Sequence, residues 1–378
     1  MSGLRPDAQH EWGVEFTDGG NTDTVGTFRT FPSGPGSYTF AVGACARTGS
    51  NHPVFDDIRE SRPLFYLMLG DLTYADILYD SRDLYRLMFR EVLERPRQRD
   101  LYRHVPIVYM WDDHDYGQQS RAGTRAGVAA PRHVYQEYVP HYPLARGKGD
   151  VPIYHSFSVG PAFFIVTDLR SERSSEFEAD GPAKSMMGAT QKAWFGEQLL
   201  SAADQYPVIF WASTVPWIKR PAPLEDSWGG YAYERRQIAN FLRDHDLSRR
   251  LIILAGDAHM LALDDGTNSD FASGGGAPLP VFHAGAIDQA GSKKGGPYSH
   301  GAFTNRTIGV HGDGQFGLVT LDDDGGDTLT VRVRGMRREH DTDELVELIR
   351  WERTYPASHN TNVQAKRPKP VTITGATR

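Results

Sequence analysis

Short apolar runs closed by a glycine or an acidic cluster recur along the chain. Tyr38-Thr39-Phe40-Ala41-Val42-Gly43 reads as a strand that ends at Gly43-Ala44-Cys45. Leu64-Phe65-Tyr66-Leu67-Met68-Leu69 is continuously apolar, as a strand buried on both faces should be, and stops at Gly70-Asp71. Residues 105–110, 163–167, 208–211 and 251–255 repeat the pattern, ending at Trp111-Asp112-Asp113-His114-Asp115, at Asp168-Leu169-Arg170, at Trp211-Ala212-Ser213-Thr214 and at Gly256-Asp257-Ala258-His259. Helical periodicity lies between them: over 53–62 with Asn51 as its cap, over 84–94 before Pro96, from Thr190 as a cap to 200, and over 233–245.

Strands alternating with helices predict an α/β fold whose chemistry gathers at the carboxyl ends of the strands. Residues 1–37 are polar and rich in Gly, Pro and Thr, and read as an N-terminal extension or an edge strand. The main domain is expected over 38–335, with 269–311 as long glycine-rich loops. Residues 316–321 and 329–333 pair as a hairpin around an acidic turn, and 336–378 are expected to form a C-terminal helix or extended tail.

Composition narrows the function classes. With 378 residues, 39% hydrophobic and 24% charged, the chain can bury a substantial core. No apolar run approaches the roughly 20 residues that span a bilayer. The start, Met1-Ser2-Gly3-Leu4-Arg5-Pro6, has no apolar stretch after its basic residue. No export signal is therefore visible, and a cytoplasmic location is expected unless a leader was removed. A formal net charge of -7 argues against non-specific nucleic-acid binding, which needs a basic excess to displace counterions. Cys45 is the only cysteine, so no intrachain disulfide can form.

Three strand ends carry unusual chemistry. Asp71 could simply cap a turn, but Tyr74 three residues later adds a second oxygen donor, and hard oxygen ligands suit a highly charged ion. In Trp111-Asp112-Asp113-His114-Asp115 three carboxylates crowd around an imidazole, an arrangement that repels itself unless a cation is present. Such a histidine fits a general acid. Asp257 and His259, two apart on an extended segment, can face one site.

Together these segments resemble the calcineurin-like metallophosphoesterase superfamily, and within it the alkaline phosphatase D (PhoD-like) branch. The matching motifs are Gly43-Ala44-Cys45, Gly70-Asp71 with Tyr74, Trp111 to Asp115 in full, Gly256-Asp257 with His259, and Asp168-Leu169-Arg170 with Arg173 nearby. The resemblance implies a four-layer α/β/β/α sandwich of two mixed sheets. It also implies a ferric, Fe(3+), site from Cys45, Asp71, Tyr74 and His259. A second site from Asp71, Asp113 and Asp257 would take calcium, Ca(2+), or another divalent ion such as Mn, Zn or Mg. His114 would be the catalytic acid, and Arg170 and Arg173 would bind substrate phosphate.

The implied reaction is hydrolysis of phosphate monoesters or diesters, small or lipid-derived, by in-line attack of a metal-bound hydroxide. A non-catalytic metal-binding or phosphate-sensing domain is the alternative. The chain departs from the branch's pattern in places. Gln118 and Gln119 stand where an Asn is common, and Ala212-Ser213-Thr214 offers no histidine where the wider superfamily has a ligand. The second metal is therefore expected to be weakly held. Tyr298, His300, Trp217 and Trp228 are candidates to wall the pocket.

Overall fold

The apolar runs become buried strands, and their pairing explains why their ends meet. The computed structural model describes residues 3–15, 25–117, 128–307, 309 and 312–357. In chain order the elements are β1 (Gln9–Trp12), β2 (Gly26–Arg29), β3 (Tyr38–Ala46), α1 (Val54–Glu60), β4 (Tyr66–Leu69), α2 (Arg82–Leu93), α3 (Pro96–His104) and β5 (Ile107–Met110). Then come α4 (Asp113–Tyr116), α5 (Ala130–Tyr138), β6 (His155–Val159), β7 (Ala162–Val166), α6 (Gly188–Ala203), β8 (Val208–Ser213), α7 (Ala232–Asp244) and β9 (Leu251–Ala255). The remainder are β10 (Met260–Asp264), β11 (Val281–Asp288), β12 (His300–Thr304), β13 (Gly314–Asp322), β14 (Thr328–Arg338) and β15 (Leu345–Pro356).

The protein is a mixed α/β fold with a 13-stranded sheet joined at a seam where β3 pairs in parallel with β11. One half carries β3, β4, β5, β13, β14 and β15; the other carries β6 to β12. Aromatic contacts show the halves facing each other: Phe40 beside β4 meets Phe164 of β7 and Phe210 of β8 edge-on, at 5.3 and 5.2 Å. Behind the β7–β9 half, Phe195 and Leu199 of α6 and Ile238 and Leu242 of α7 bury with Ile165, Trp211 and Ile253. Behind β5, Tyr109 packs on Phe89 of α2 and Tyr135 of α5. Helices thus pack against both halves of the sheet. No helix among the described residues is long and apolar enough to cross a membrane.

Several local expectations are corrected. Asn51 does not cap α1; its side-chain oxygen accepts from the Arg97 backbone instead. Helix α6 begins at Gly188, before Thr190, with the Ser185 hydroxyl accepting the Gly188 N–H. Residues 269–311 are not all loop, because they contain β11, buried along its whole length, and β12. The sheet does not stop at 335 either: β14 runs on to Arg338 and pairs antiparallel with β15. Alternation hides β15, since Ile349 and Tyr355 face inward while Arg350, Glu352 and Thr354 between them are exposed. The N-terminal segment contributes β1 and β2 as a small sheet of their own rather than an edge strand. Gln118 and Gln119, and everything from 358 onward, lie outside the described residues.

Candidate metal centre

Parallel strands β3, β4 and β5 lie side by side, as do β8, β9 and β11, so their carboxyl ends open onto one place. The backbone turns there unusually. Cys45, Asp71, Asp257 and His259 all adopt positive φ, at 63°, 53°, 60° and 51°. Non-glycine residues rarely do so, and such conformations concentrate at functional sites. The glycines of the two Gly-Asp pairs allow close approach. A Cβ on Gly70 would lie 2.5 Å from the Asp112 Cβ, and one on Gly256 would lie 2.3 Å from the Leu69 carbonyl oxygen.

Two overlapping groups of side chains could hold a metal ion: Cys45, Asp71 and His259, and Asp71, Asp113 and His114, with donor atoms in each group within 4.8 Å of one another. Asp71 belongs to both. The Tyr74 hydroxyl donates to Asp71 Oδ2 at 3.0 Å and lies 2.9 Å from His259 Nε2, so it joins the first group. His259 Nδ1 is 2.7 Å from the Ala290 carbonyl oxygen, an arrangement that fixes the ring and aims Nε2 at the site. His114 packs against the Tyr74 ring at 4.1 Å between centroids, and its Nδ1 is 2.8 Å from Asp76 Oδ1. Asp76 was not singled out in the sequence, because an acid in an irregular loop carries no signal.

Acid crowds this site. Burial, then the charges of Asp113, Asp112, Asp115 and Asp257, push the Asp71 carboxyl well up. Burial likewise raises the Cys45 thiol and the Tyr74 phenol. Asp71 Oδ1 is buried without a hydrogen-bond partner among the described residues. A thiol, a carboxyl, a phenol and an imidazole converging on one point, with an orphaned carboxyl oxygen, fit a bound cation at the first group. The expected second set fits less well. Asp257 is in neither group; its Oδ1 instead binds the ammonium of Lys294, a residue the sequence reading did not find.

The other acids of the Trp111–Asp115 run brace the site. Asp115 accepts the backbone N–H of Asp71, Thr73 and Asp112, at 2.6, 3.0 and 3.0 Å. Asp112 accepts from the Arg170 guanidinium and from the Thr214 hydroxyl. Arg170 and Arg173 are therefore not the open phosphate clamp expected from sequence. Both side chains have 0% exposure, and both converge on Asp226, Arg170 Nη1 at 3.0 Å from each carboxylate oxygen. Against the cost of burial, these two arginines hold the Asp226 carboxyl far below its usual range. Trp217 and Trp228 do not wall a pocket: both are fully buried and pack edge-on against Trp211.

Acid- and imidazole-bearing turns at adjacent strand ends thus define a mixed α/β protein built around a candidate metal centre. Residues 40–339 match the sequence model of the PhoD-like phosphatases, and the chain belongs to that family. Alkaline phosphatase D of Bacillus subtilis (strain 168) is 24% identical over 308 residues, which cover 68% of this chain and 52% of that protein. The chain thus spans about half the length of this curated relative. A solved structure of PhoD matches with a TM-score of 0.68 at 17% identity, over 92% of this chain and 78% of that one. Purple acid phosphatase PPD1 from yellow lupin (Lupinus luteus) seeds matches at 0.54 and 13% identity, over 93% and 60%. At these identities the structural likeness speaks for the fold alone.

Proposed function

We propose that the chain hydrolyses phosphate esters, with a metal ion held by Cys45, Asp71, Tyr74 and His259 and with His114 as the proton donor. The observation that carries this reading is the convergence of four different donor types beside an oriented imidazole. Thiolate and phenolate are electron-rich and must each lose a proton to bind, which favours a ferric ion. When bound, such an ion supplies a Lewis acid that polarises phosphoryl oxygen and lowers the pKa of water.

The chain's own groups do the rest. Asp71 spans the two donor groups and fixes where the phosphoryl group lies relative to His114. With Nδ1 directed at Asp76, His114 keeps Nε2 for the leaving oxygen, which it protonates as the ester bond breaks. Arg170 acts at one remove, holding Asp112 and lying 3.8 Å from Asp113, rather than by gripping substrate. Small phosphate esters, including lipid-derived ones, are the substrate class this reading favours.

The test is hydrolysis of a chromogenic monoester and diester by protein made in iron-supplied medium, together with its visible spectrum. Activity with a charge-transfer band that Tyr74→Phe bleaches is expected. Iron-free, colourless protein with full activity would remove the ferric assignment, and no hydrolysis of either ester by iron-loaded protein would remove the function.

A further inference from the structure

We propose that Lys294 supplies, as a fixed ammonium, the positive charge that a second metal ion would otherwise bring to Asp113 and Asp257. The chain would then keep a single resident ion. This rests on the reading of Cys45, Asp71, Tyr74 and His259 as the site of that ion.

Four observations converge on it. The Lys294 Nζ is bound to Asp257 Oδ1, the carboxylate expected to complete a second site. Neither group of side chains able to hold an ion includes Asp257. At the end of β8, the Ser213 hydroxyl donates to the Val215 carbonyl and the Thr214 hydroxyl donates to Asp112, so both hydroxyls of that strand end are already engaged within the fold. A divalent ion there would have to displace a cation that is already in place and would be repelled by it.

The fourth observation is that the lysine is delivered by a built loop rather than by a free side chain. The Lys294 carbonyl accepts from the Tyr298 hydroxyl at 3.0 Å. Two residues before it, Ser292 bonds the turn that carries the ligands: its N–H donates to the His259 carbonyl at 3.3 Å and its hydroxyl to the Ala258 carbonyl at 3.0 Å. Two residues after it, the Gly296 N–H donates to the Ile218 carbonyl at 2.9 Å. Gly295 has φ of 81°, and a Cβ there would lie 2.2 Å from the Ile218 carbonyl oxygen, so only glycine lets the loop close. Asp113 and Cys45 also act on the ammonium, beside Asp257. A covalently attached cation of this kind cannot be chelated away, and it would meet the phosphoryl oxygens of a substrate as a compact point charge.

Metal counting tests this without relying on activity. The full chain, made with iron and calcium in the medium, is expected to hold one metal ion by elemental analysis. Calorimetric titration with calcium or manganese up to roughly millimolar, where weak sites fill, should add none. Lys294→Met keeps the apolar stem and removes the charge. It should gain one divalent ion per chain, and Lys294→Met with Asp257→Asn should lose the gained ion again. Two ions in the wild-type chain overturn the proposal alone, and that count stands by itself should the variant fail to fold. A folded Lys294→Met that takes up no further ion also overturns it. If neither protein holds any ion, the first site and this inference fall together.

Discussion

Two buried charged clusters lie side by side at the strand ends, and they are solved in opposite ways. Around Asp71 acids gather in excess: Asp71, Asp113 and Asp257 come within mutual influence, with the Lys294 ammonium bound to Asp257 and Arg170 3.8 Å from Asp113. Around Asp226 the charges match, with Arg170 and Arg173 fully buried against Asp226 and Asp112. The first cluster drives its central carboxyl upward, and the second drives its carboxyl downward. A charge excess that the chain does not neutralise calls for a ligand from outside, whereas a balanced network needs none and serves as scaffold. Both clusters share the backbone of Asp112 and Asp113, so the scaffold grips the site it borders.

The largest effect should come from the acid in both donor groups. Asp71→Asn removes a charge from the excess, which in a balanced network would unsettle the fold. Here it should instead strip the metal and lower turnover by about 10³-fold or more, the scale of losing a main electrostatic contributor. Elemental analysis decides: a metal-replete, active Asp71→Asn would contradict the reading of this cluster. His114→Ala should come next, lowering kcat by about 10²–10⁴-fold while metal content stays unchanged. Near-normal kcat in that variant would end its role as proton donor.

The balanced cluster should answer in stability rather than in metal content. Asp226→Asn leaves two buried guanidiniums without their shared partner, which costs about 3 kcal/mol or more on the scale of broken buried pairs. The sign with pH follows from the lowered folded pKa of Asp226. Its contribution is fully present above the ordinary carboxyl range and is lost only as pH falls through the depressed folded value. The gap in melting temperature between wild type and Asp226→Asn should therefore hold from neutral pH down to about pH 5 and close only in stronger acid. A gap that vanishes already near neutrality would show that the network is not what holds the fold.

The contrast also explains what could be read from the sequence. Cys45, Asp71, Asp113 and Asp257 sit at the ends of apolar runs, with Tyr74 and His259 three and two residues beyond Asp71 and Asp257, so the end of a strand announces them. Their partners sit in irregular segments with no such marker. Asp226 lies between α6 and α7 beyond β8, and Lys294 in the glycine-rich stretch between β11 and β12. Strand β11 itself was obscured because His283 and Gly285 interrupt its apolar run, although its burial is complete. Nor does the sequence show that Arg170 and Arg173, expected to bind substrate phosphate, converge on Asp226, which lies more than 50 residues further along the chain. Periodicity finds backbone; it does not reveal which distant loop returns to neutralise a charge.

The smallest effect tests whether an acid beside the first cluster can behave like those of the second. Asp76 has an in-chain partner, His114, whose Nδ1 lies 2.8 Å away. Its side chain is 42% exposed, so water can replace part of what it does. The His114 ring is also held by packing on Tyr74 at 4.1 Å, a contact that survives loss of the carboxylate. Asp76→Asn should therefore loosen the imidazole without freeing it, lowering kcat by about 10-fold, toward the low end for a positioning partner of an active-site group. Metal content and melting temperature should stay at wild-type values, because exposed pairs add about 0–1 kcal/mol to stability. Steady-state kinetics on metal-replete protein separates the outcomes. A loss as large as that of His114→Ala would mean that the two residues act as one unit. No loss at all would mean that stacking on Tyr74 alone orients the ring, and that Asp76 belongs to neither cluster.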